Sequence, residues 1–403
     1  MSESPMALGK PRNESENTMK KDTLCVHGGT AVDPSTRGIN TPIYTSSSFA
    51  YLDGAETIYP RYFNTPNQTA VVRKLCALER AEDGLVFSSG MAAISSVLLS
   101  FLSRGDHAVL QRDIYGGTHH FITAQFERFG IQFTFVSNRS RDIAAAFRDN
   151  TRLVYIETPS NPLLAITDIK AVAAAARDSR VTSVIDNTFA TPVHQNPLAL
   201  GIDVVIHSGT KYLGGHSDLC CGAALASRAL IRRIRSSAVD FGGSLNALTC
   251  SMLERSLKTL ALRVAKQTQN AGRLAQYLQT RPEVSAVYYP GLESHPDHAV
   301  AAAQMSGFGG MLSFELNEDR AQLEPFLRRL RLITPALSLG GVETIVCAPK
   351  DTSHAKVSSA ERGRMGISDS LLRLSAGIED PEDLIADMEE AFSFEGTGRG
   401  TDQ

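Results

Sequence analysis

Lys211 stands in the run Ser208-Gly209-Thr210-Lys211-Tyr212-Leu213-Gly214-Gly215-His216, just past the apolar stretch Val204-Val205-Ile206. Twenty-five positions earlier, Asp186 closes a second apolar stretch in Val184-Ile185-Asp186-Asn187-Thr188. A lysine at the end of one strand can form a Schiff base with an aldehyde, and an aspartate at the end of another can keep a pyridine nitrogen protonated. Acting on one ring, the two make an electron sink. Each has a plainer reading when taken alone, Lys211 as a solvated loop lysine and Asp186 as a helix N-cap. The residues around them favour the chemical reading.

In Ser88-Ser89-Gly90-Met91-Ala92 an apolar strand passes into a long helix. Ser89, Gly90 and Met91 bring backbone N–H groups and the positive helix end to one spot, which suits a phosphate; a strand-to-helix turn with glycine as a spacer has the same pattern. Ser208 and Thr210 flank Gly209 and can add hydroxyl donors to that phosphate, or shape the turn. Tyr115, in Asp113-Ile114-Tyr115-Gly116-Gly117-Thr118, precedes glycines that let backbone approach a ligand, so its ring can stack on a pyridine or sit in a surface turn. Asn161, in Glu157-Thr158-Pro159-Ser160-Asn161-Pro162, can donate to a phenolic oxygen, and Asn before Pro also opens turns. Tyr59 and Arg61 lie on a segment ahead of the strands and helices; arginine suits bidentate phosphate contact. Arg373 lies inside Leu371-Leu372-Arg373-Leu374-Ser375, where an unpaired charge is costly, so it needs a substrate carboxylate or an internal Asp or Glu. Aldehyde, pyridine and phosphate on one molecule describe pyridoxal 5′-phosphate (PLP) as the cofactor. His207, His216 and Cys220 have no metal-ligand spacing and read as structural or surface residues.

These residues need a scaffold, and the hydrophobic pattern supplies one. From about Gln68, helices alternate with short apolar strands: helix Ala70 to Leu78, strand Gly84 to Ser88, helix Met91 to Leu102, strand His107 to Gln111, and so on to strands Leu153 to Glu157, Thr182 to Ile185 and Val204 to His207. Such alternation predicts a mostly parallel sheet with helices on both faces, and ligands in such sheets sit at the carboxyl ends of the strands. Residues 1–22 read as a disordered tail and 23–67 as an extended arm contributing to a neighbouring subunit. Residues 68–255 form the large cofactor domain, 256–394 a smaller C-terminal α/β domain, and 395–403 a second disordered tail. The last helix is signalled by Asp380 as N-cap, Pro381 in the first turn, and Leu384, Ile385 and Met388 at helical spacing.

Composition narrows the setting. At 403 residues, with a net charge of −3, the chain offers no electrostatic case for nucleic acid or anionic membrane. Six cysteines are scattered without C-x-x-C spacing and the N-terminus lacks a secretory apolar core, so reduced thiols in the cytoplasm are expected. No apolar stretch approaches the roughly 20 residues of a membrane span.

With these residues in place, the chain resembles the Cys/Met-metabolism (trans-sulfuration) family of PLP-dependent enzymes: cystathionine γ-synthase, cystathionine β-lyase, cystathionine γ-lyase and methionine γ-lyase. The resemblance covers about Thr23 to Phe392. It rests on Asp186-Asn187-Thr188-Phe189-Ala190-Thr191-Pro192, Ser208-Gly209-Thr210-Lys211-Tyr212, Ser338-Leu339-Gly340-Gly341-Val342-Glu343 and Arg373-Leu374-Ser375-Ala376-Gly377-Ile378-Glu379. It implies a fold-type-I architecture, shared active sites in a homo-oligomer built as a dimer of dimers, and Tyr59 and Arg61 reaching the phosphate of the adjacent subunit's cofactor. It further implies that Lys211 holds the cofactor and then carries a proton at the substrate α-carbon. Tyr115 lies over the ring and assists leaving-group protonation, Arg373 holds the α-carboxylate, and the Ser338 region shapes that pocket. Members that carry out γ-replacement, and cystathionine γ-lyases, tend to have an acidic residue just before the Ser-Leu-Gly-Gly run and another before the arm tyrosine; here the positions are Leu337 and Ile58. An apolar wall suits a neutral thioether tail better than a second ammonium group. That leans toward a methionine-γ-lyase-like activity within the favoured class, a carbon–sulfur lyase of the methionine or cystathionine γ-lyase type, although Gly117 stands about where methionine γ-lyases carry a cysteine. The other readings are a cystathionine γ-synthase or O-acyl-homoserine sulfhydrylase, a cystathionine β-lyase, an aminotransferase, and a non-catalytic scaffold of the same fold.

Overall fold

Seven short apolar segments between residues 83 and 226 pair into one sheet. They are β1 (Asp83–Phe87), β2 (His107–Gln111), β3 (Gln132–Val136), β4 (Thr151–Glu157), β5 (Thr182–Asp186), β6 (Val204–Ser208) and β7 (Gly222–Ala226), in the spatial order β1-β7-β6-β5-β4-β2-β3. This is a computed structural model; it describes residues 19–393 apart from 31, 34, 53, 55, 353, 354 and 356–358. The expected tail residues 1–18 and 395–403 lie outside the described residues.

The sheet is parallel except for β7, which runs antiparallel to both β1 and β6. β7 was not among the expected strands: its Gly-Ala-Ala-Leu-Ala run has no β-branched residue to mark it. Along β4, Leu153 and Tyr155 enter one apolar cluster while Val154 and Ile156 enter another. Period-2 alternation with both faces covered explains why the strands read as continuous apolar runs. The same parity puts Tyr155, Glu157, Asp186, Ile206 and Ser208 on one face, with the carboxyl ends of their strands side by side.

The arm begins differently from the sequence expectation. Lys21–His27 is a helix, α1, where the pattern suggests the end of a tail and the start of an extended segment. Its causes are non-local. Lys21 Nζ donates to Leu78 O at 2.9 Å and to Asn196 Oδ1 at 2.7 Å, and the buried Lys74 amine collects Cys25 O, Val26 O and Gly28 O at α1's C-terminal end. Among the described residues between α1 and α2 (Pro66–Glu79), the three-residue turn Pro60–Tyr62 is the one regular element.

The second sheet holds β8 (Val284–Tyr288), β9 (Met311–Leu316), β10 (Thr334–Pro335), β11 (Ile345–Cys347) and β12 (Leu371–Ser375), in the order β10-β11-β12-β9-β8. The helix Leu260–Gln279 joins the two halves: Leu260, Ala261 and Val264 pack into a core shared with α2, while Ala271, Leu274 and Leu278 pack under β9 and β12. The last helix, Pro381–Phe392, starts as its sequence predicts, with Asp380 Oδ1 accepting the Glu382 N–H at 2.9 Å. Among the described residues no helix is long and apolar enough to cross a membrane.

Candidate active site

At the carboxyl ends of β4, β5 and β6, Glu157, Asp186 and Ser208 face a cavity of about 910 Å³. Lys211 follows β6 in a tight turn, its N–H bonded to Ser208 O at 3.2 Å, and its Nζ donates to Ser338 Oγ at 2.7 Å. Burial, and then the Arg373 guanidinium, pull the amine down to a pKa of about 8. Asp186 accepts from the Thr188 N–H at 3.0 Å, from the Thr188 hydroxyl, and more weakly from Tyr155 OH at 3.4 Å. Burial raises its pKa, and the Thr188 donors oppose that rise.

Ser89 caps the helix α3 (Gly90–Phe101), its Oγ accepting the Ala92 N–H at 3.1 Å. The first N–H groups of a helix have no partner within it, so this end offers donors to an anion. Ser89, Gly90 and Met91 line the cavity with Ser208. Two glycines permit the approach. A Cβ on Gly90 would stand 2.9 Å from Ser208 Cβ, and one on Gly222 would stand 2.2 Å from Ser89 O. Thr210 reaches the cavity wall, but its hydroxyl donates to Cys221 O at 3.1 Å and accepts the Cys221 N–H at 3.0 Å. Its hydroxyl proton therefore serves the turn.

Tyr115 projects into the cavity with its ring folded back beside Gly117, where a Cβ would come within 2.4 Å of the tyrosine Cε1. A side chain at 117 would have to displace that ring. The Tyr115 backbone N–H donates to Glu157 Oε2 at 2.8 Å. On the opposite wall, Arg373 crosses from the second sheet: Nη1 donates to Asn161 Oδ1 at 2.9 Å and Nη2 to Ser338 O at 3.0 Å. Both acceptors are neutral, so these bonds leave the charge to be met from the cavity, and Nε is buried with no hydrogen-bond partner. Because Arg373 occupies the Asn161 oxygen, the donor end of that amide is the one available to a ligand. Ser338 holds φ at 87°, in a region that favours glycine; the strain aims its hydroxyl at Lys211 and its carbonyl at Arg373.

Tyr59 and Arg61 do not line this cavity. Arg61 Nη1 donates to Val239 O at 2.9 Å and its guanidinium stacks on Tyr59 and Tyr62, 5.9 and 5.4 Å from the ring centroids. His207 is structural, with Nε2 2.6 Å from Glu79 Oε1 inside the core. Sequence reasoning missed Glu157, Tyr155 and Thr188 as site residues. The available signal for Glu157 was a carboxylate ending an apolar strand, the same signal that singled out Asp186.

The family model "Cys/Met metabolism PLP-dependent enzyme" matches residues 22–393. The chain belongs to that family. It is 43% identical to a cystathionine γ-lyase of Bacillus subtilis, over 93% of this chain and 99% of the relative, and 42% identical to a cystathionine β-lyase of Lactococcus lactis, over 92% and 98%. A solved cystathionine γ-synthase from Xanthomonas oryzae in complex with cystathionine superposes with a TM-score of 0.90 at 37% identity, covering 93% of this chain and 98% of that one. The protein is therefore a PLP-dependent trans-sulfuration enzyme of fold type I, and those relatives divide among β-lyase, γ-lyase and γ-synthase. The cavity suits the cofactor: a glycine-lined helix end for the phosphate, a buried carboxylate and a lysine of lowered pKa converge on it.

Proposed function

We propose that this enzyme is a carbon–sulfur lyase of the methionine or cystathionine γ-lyase type, breaking the bond at the γ (or β) carbon of a thioether amino acid. The observation that carries this reading is the distal wall. Leu337, directly before Ser338, is 69% exposed and lines the cavity with Leu339 and Phe189. These three side chains offer no partner to a distal ammonium group, such as the second one of cystathionine, whereas a methionine thioether needs none, so within that class the wall favours a methionine-type substrate.

PLP, when bound, supplies an aldehyde for an amine and a conjugated ring that draws electrons from the substrate α-carbon. The rest falls to the chain. Ser89, Gly90, Met91 and Ser208 would hold the phosphate, with Thr210 fixing the turn beneath it. Asp186 would keep the ring nitrogen protonated. Asn161 would donate to the phenolic oxygen through the amide end that Arg373 leaves open. Arg373, short of one partner, would take the substrate α-carboxylate, with Ser338 fixing its angle. Lys211 would carry the proton at the α-carbon at a high effective concentration, and a pKa near 8 would let it take and return that proton near neutral pH. Tyr115 would stack on the ring and assist protonation of the leaving sulfur.

Two features support a homo-oligomer in which Tyr59 and Arg61 serve another copy's phosphate. They stand outside their own cavity, and Ile39, Tyr51, Leu52, Leu248 and Leu262 are exposed apolar side chains on the arm and the helices beneath it, joined by Thr41–Glu254 and Asn40–Lys258 hydrogen bonds. None of the six cysteines is in a disulfide, which supports a cytoplasmic setting.

The purified PLP-loaded enzyme, given methionine, cystathionine, homocysteine and O-acetylhomoserine separately, with and without an added thiol, tests the reaction. Thiol-independent 2-oxobutyrate from a thioether substrate is expected. Pyruvate from cystathionine would instead identify β-elimination. A thioether formed only with added thiol would identify a synthase, amino-group transfer alone an aminotransferase, and silence on all four substrates would remove the lyase reading.

A further inference from the structure

Glu157 has no part in the steps above, yet its placement is tightly determined. It is the register partner of Asp186 across the parallel β4–β5 pair, on the same face, so the two side chains stand next to each other about 4.8 Å apart at the backbone. Both line the cavity and both are buried. The Glu157 backbone is clamped on each side by Gln111, whose Nε2 donates to Glu157 O at 2.9 Å and whose Oε1 accepts the Glu157 N–H at 3.3 Å; Thr167 holds that amide through its hydroxyl at 3.0 Å. The carboxyl then accepts the Tyr115 N–H at 2.8 Å. It thereby ties the end of β4 to the loop that carries Tyr115.

Charge decides in which form it does so. The groups facing Glu157 are Asp186, Tyr155 and Arg373. Tyr155 is neutral, held above its ordinary range by burial and then by the Asp186 charge. Arg373 directs both Nη groups to Asn161 and Ser338 instead. Two carboxylates side by side in a dry site do not both ionise. Asp186 holds both Thr188 donors and faces the place of the protonated ring nitrogen, so the negative charge belongs there. Consistently, burial first and then the Asp186 charge push the Glu157 carboxyl well above the usual range.

We propose that Glu157 is a positioning residue: an uncharged carboxyl that fixes Tyr115 at the cavity and leaves the negative charge of the Glu157–Asp186 pair on Asp186. The inference rests on Tyr115 lying against the bound ring and is independent of which substituent leaves. A glutamine is then a faithful replacement, since it is neutral and keeps the acceptor oxygen. An alanine is not.

The test compares Glu157→Gln and Glu157→Ala with wild type, in the apoprotein and in the holoenzyme. Infrared spectra of the apoprotein at neutral pH are expected to show a protonated-carboxyl carbonyl band that Glu157→Gln removes. Glu157→Gln should hold PLP within about threefold of wild type with the same circular dichroism of the bound cofactor; Glu157→Ala should bind it about tenfold or more weakly, alter that dichroism and lower kcat more than it raises KM. A band that Glu157→Gln leaves unchanged would place the proton on another carboxyl, and a glutamine variant as impaired as the alanine one would show that the ionised form is needed; either result overturns the proposal. An alanine variant with wild-type dichroism and affinity would overturn the positioning role. If Glu157→Ala does not fold, the infrared band and the glutamine variant still decide. The infrared result is independent of Tyr115, so it separates an error about the charge of Glu157 from an error about the role of Tyr115.

Discussion

A lysine amine is a nucleophile only without its proton, and Lys211 sheds it about two pH units earlier than the ordinary value near 10.4 because burial and Arg373 both disfavour the cation. Capture of PLP by the apoenzyme should therefore speed up as pH rises, with a midpoint at about 8, and level off above it. Stopped-flow absorbance of the reconstitution reads this directly; a rate still climbing toward the ordinary lysine range would show that the amine is not desolvated in this way. Lys211 and Asp186 were legible in the sequence because each ends an apolar run, and strand ends in a parallel sheet converge. Glu157 ends such a run too. Its meaning depends on register with β5, which sits 29 residues downstream and is invisible to local pattern. Arg373 was legible from the cost of burying its charge, but its two neutral acceptors come from distant loops, one of them beyond the end of β4 in the other sheet.

Elements place these residues, and the tightest placement is where α3 meets the β6–β7 end. Gly222 is at van der Waals limit against backbone, with no flexible side chain to yield: its added Cβ would lie 2.2 Å from Ser89 O and 3.0 Å from Gly90 Cα. Gly222→Ala should cost about 1–3 kcal/mol as an overpacked site and push the α3 N-terminus off the phosphate position. Thermal melts with and without PLP measure both effects; a variant that melts and binds like wild type would mean that this close approach is not what builds the cradle. The sequence showed the strand-to-helix junction at Ser88–Ala92 through its Ser-Gly pattern, because that signal is local. It hid β7, whose alanines become a strand only between β1 and β6, and α1, whose seven residues are held by α2 and by Asn196. The π-helical turn Ile122–Phe126 was likewise hidden inside what reads as one helix from Thr118 to Phe129.

At the scale of the molecule, the site draws on both halves of the chain. β4 to β6 supply the floor, the 337–339 segment and β12 supply the opposite wall, and the helix Leu260–Gln279 spans both cores so that the walls keep their distance. The mostly parallel, helix-covered sheet was legible because alternation of helix and strand recurs along the chain; the bridging helix was not, since periodicity says which face is apolar and not which core receives it. What one chain does not bring to its own cavity is Tyr59 and Arg61. As proposed, a PLP site built on Lys211 is completed by an arm from a second copy. The most direct measurement mixes two inactive variants, Lys211→Ala and Arg61→Ala, unfolds and refolds them together with PLP, and assays 2-oxo acid release against each variant refolded alone. Hybrid oligomers contain sites with Lys211 from one copy and Arg61 from the other, so the mixture should exceed the sum of the separate variants several-fold. No gain on mixing, or an Arg61→Ala variant that is fully active by itself, would contradict the account.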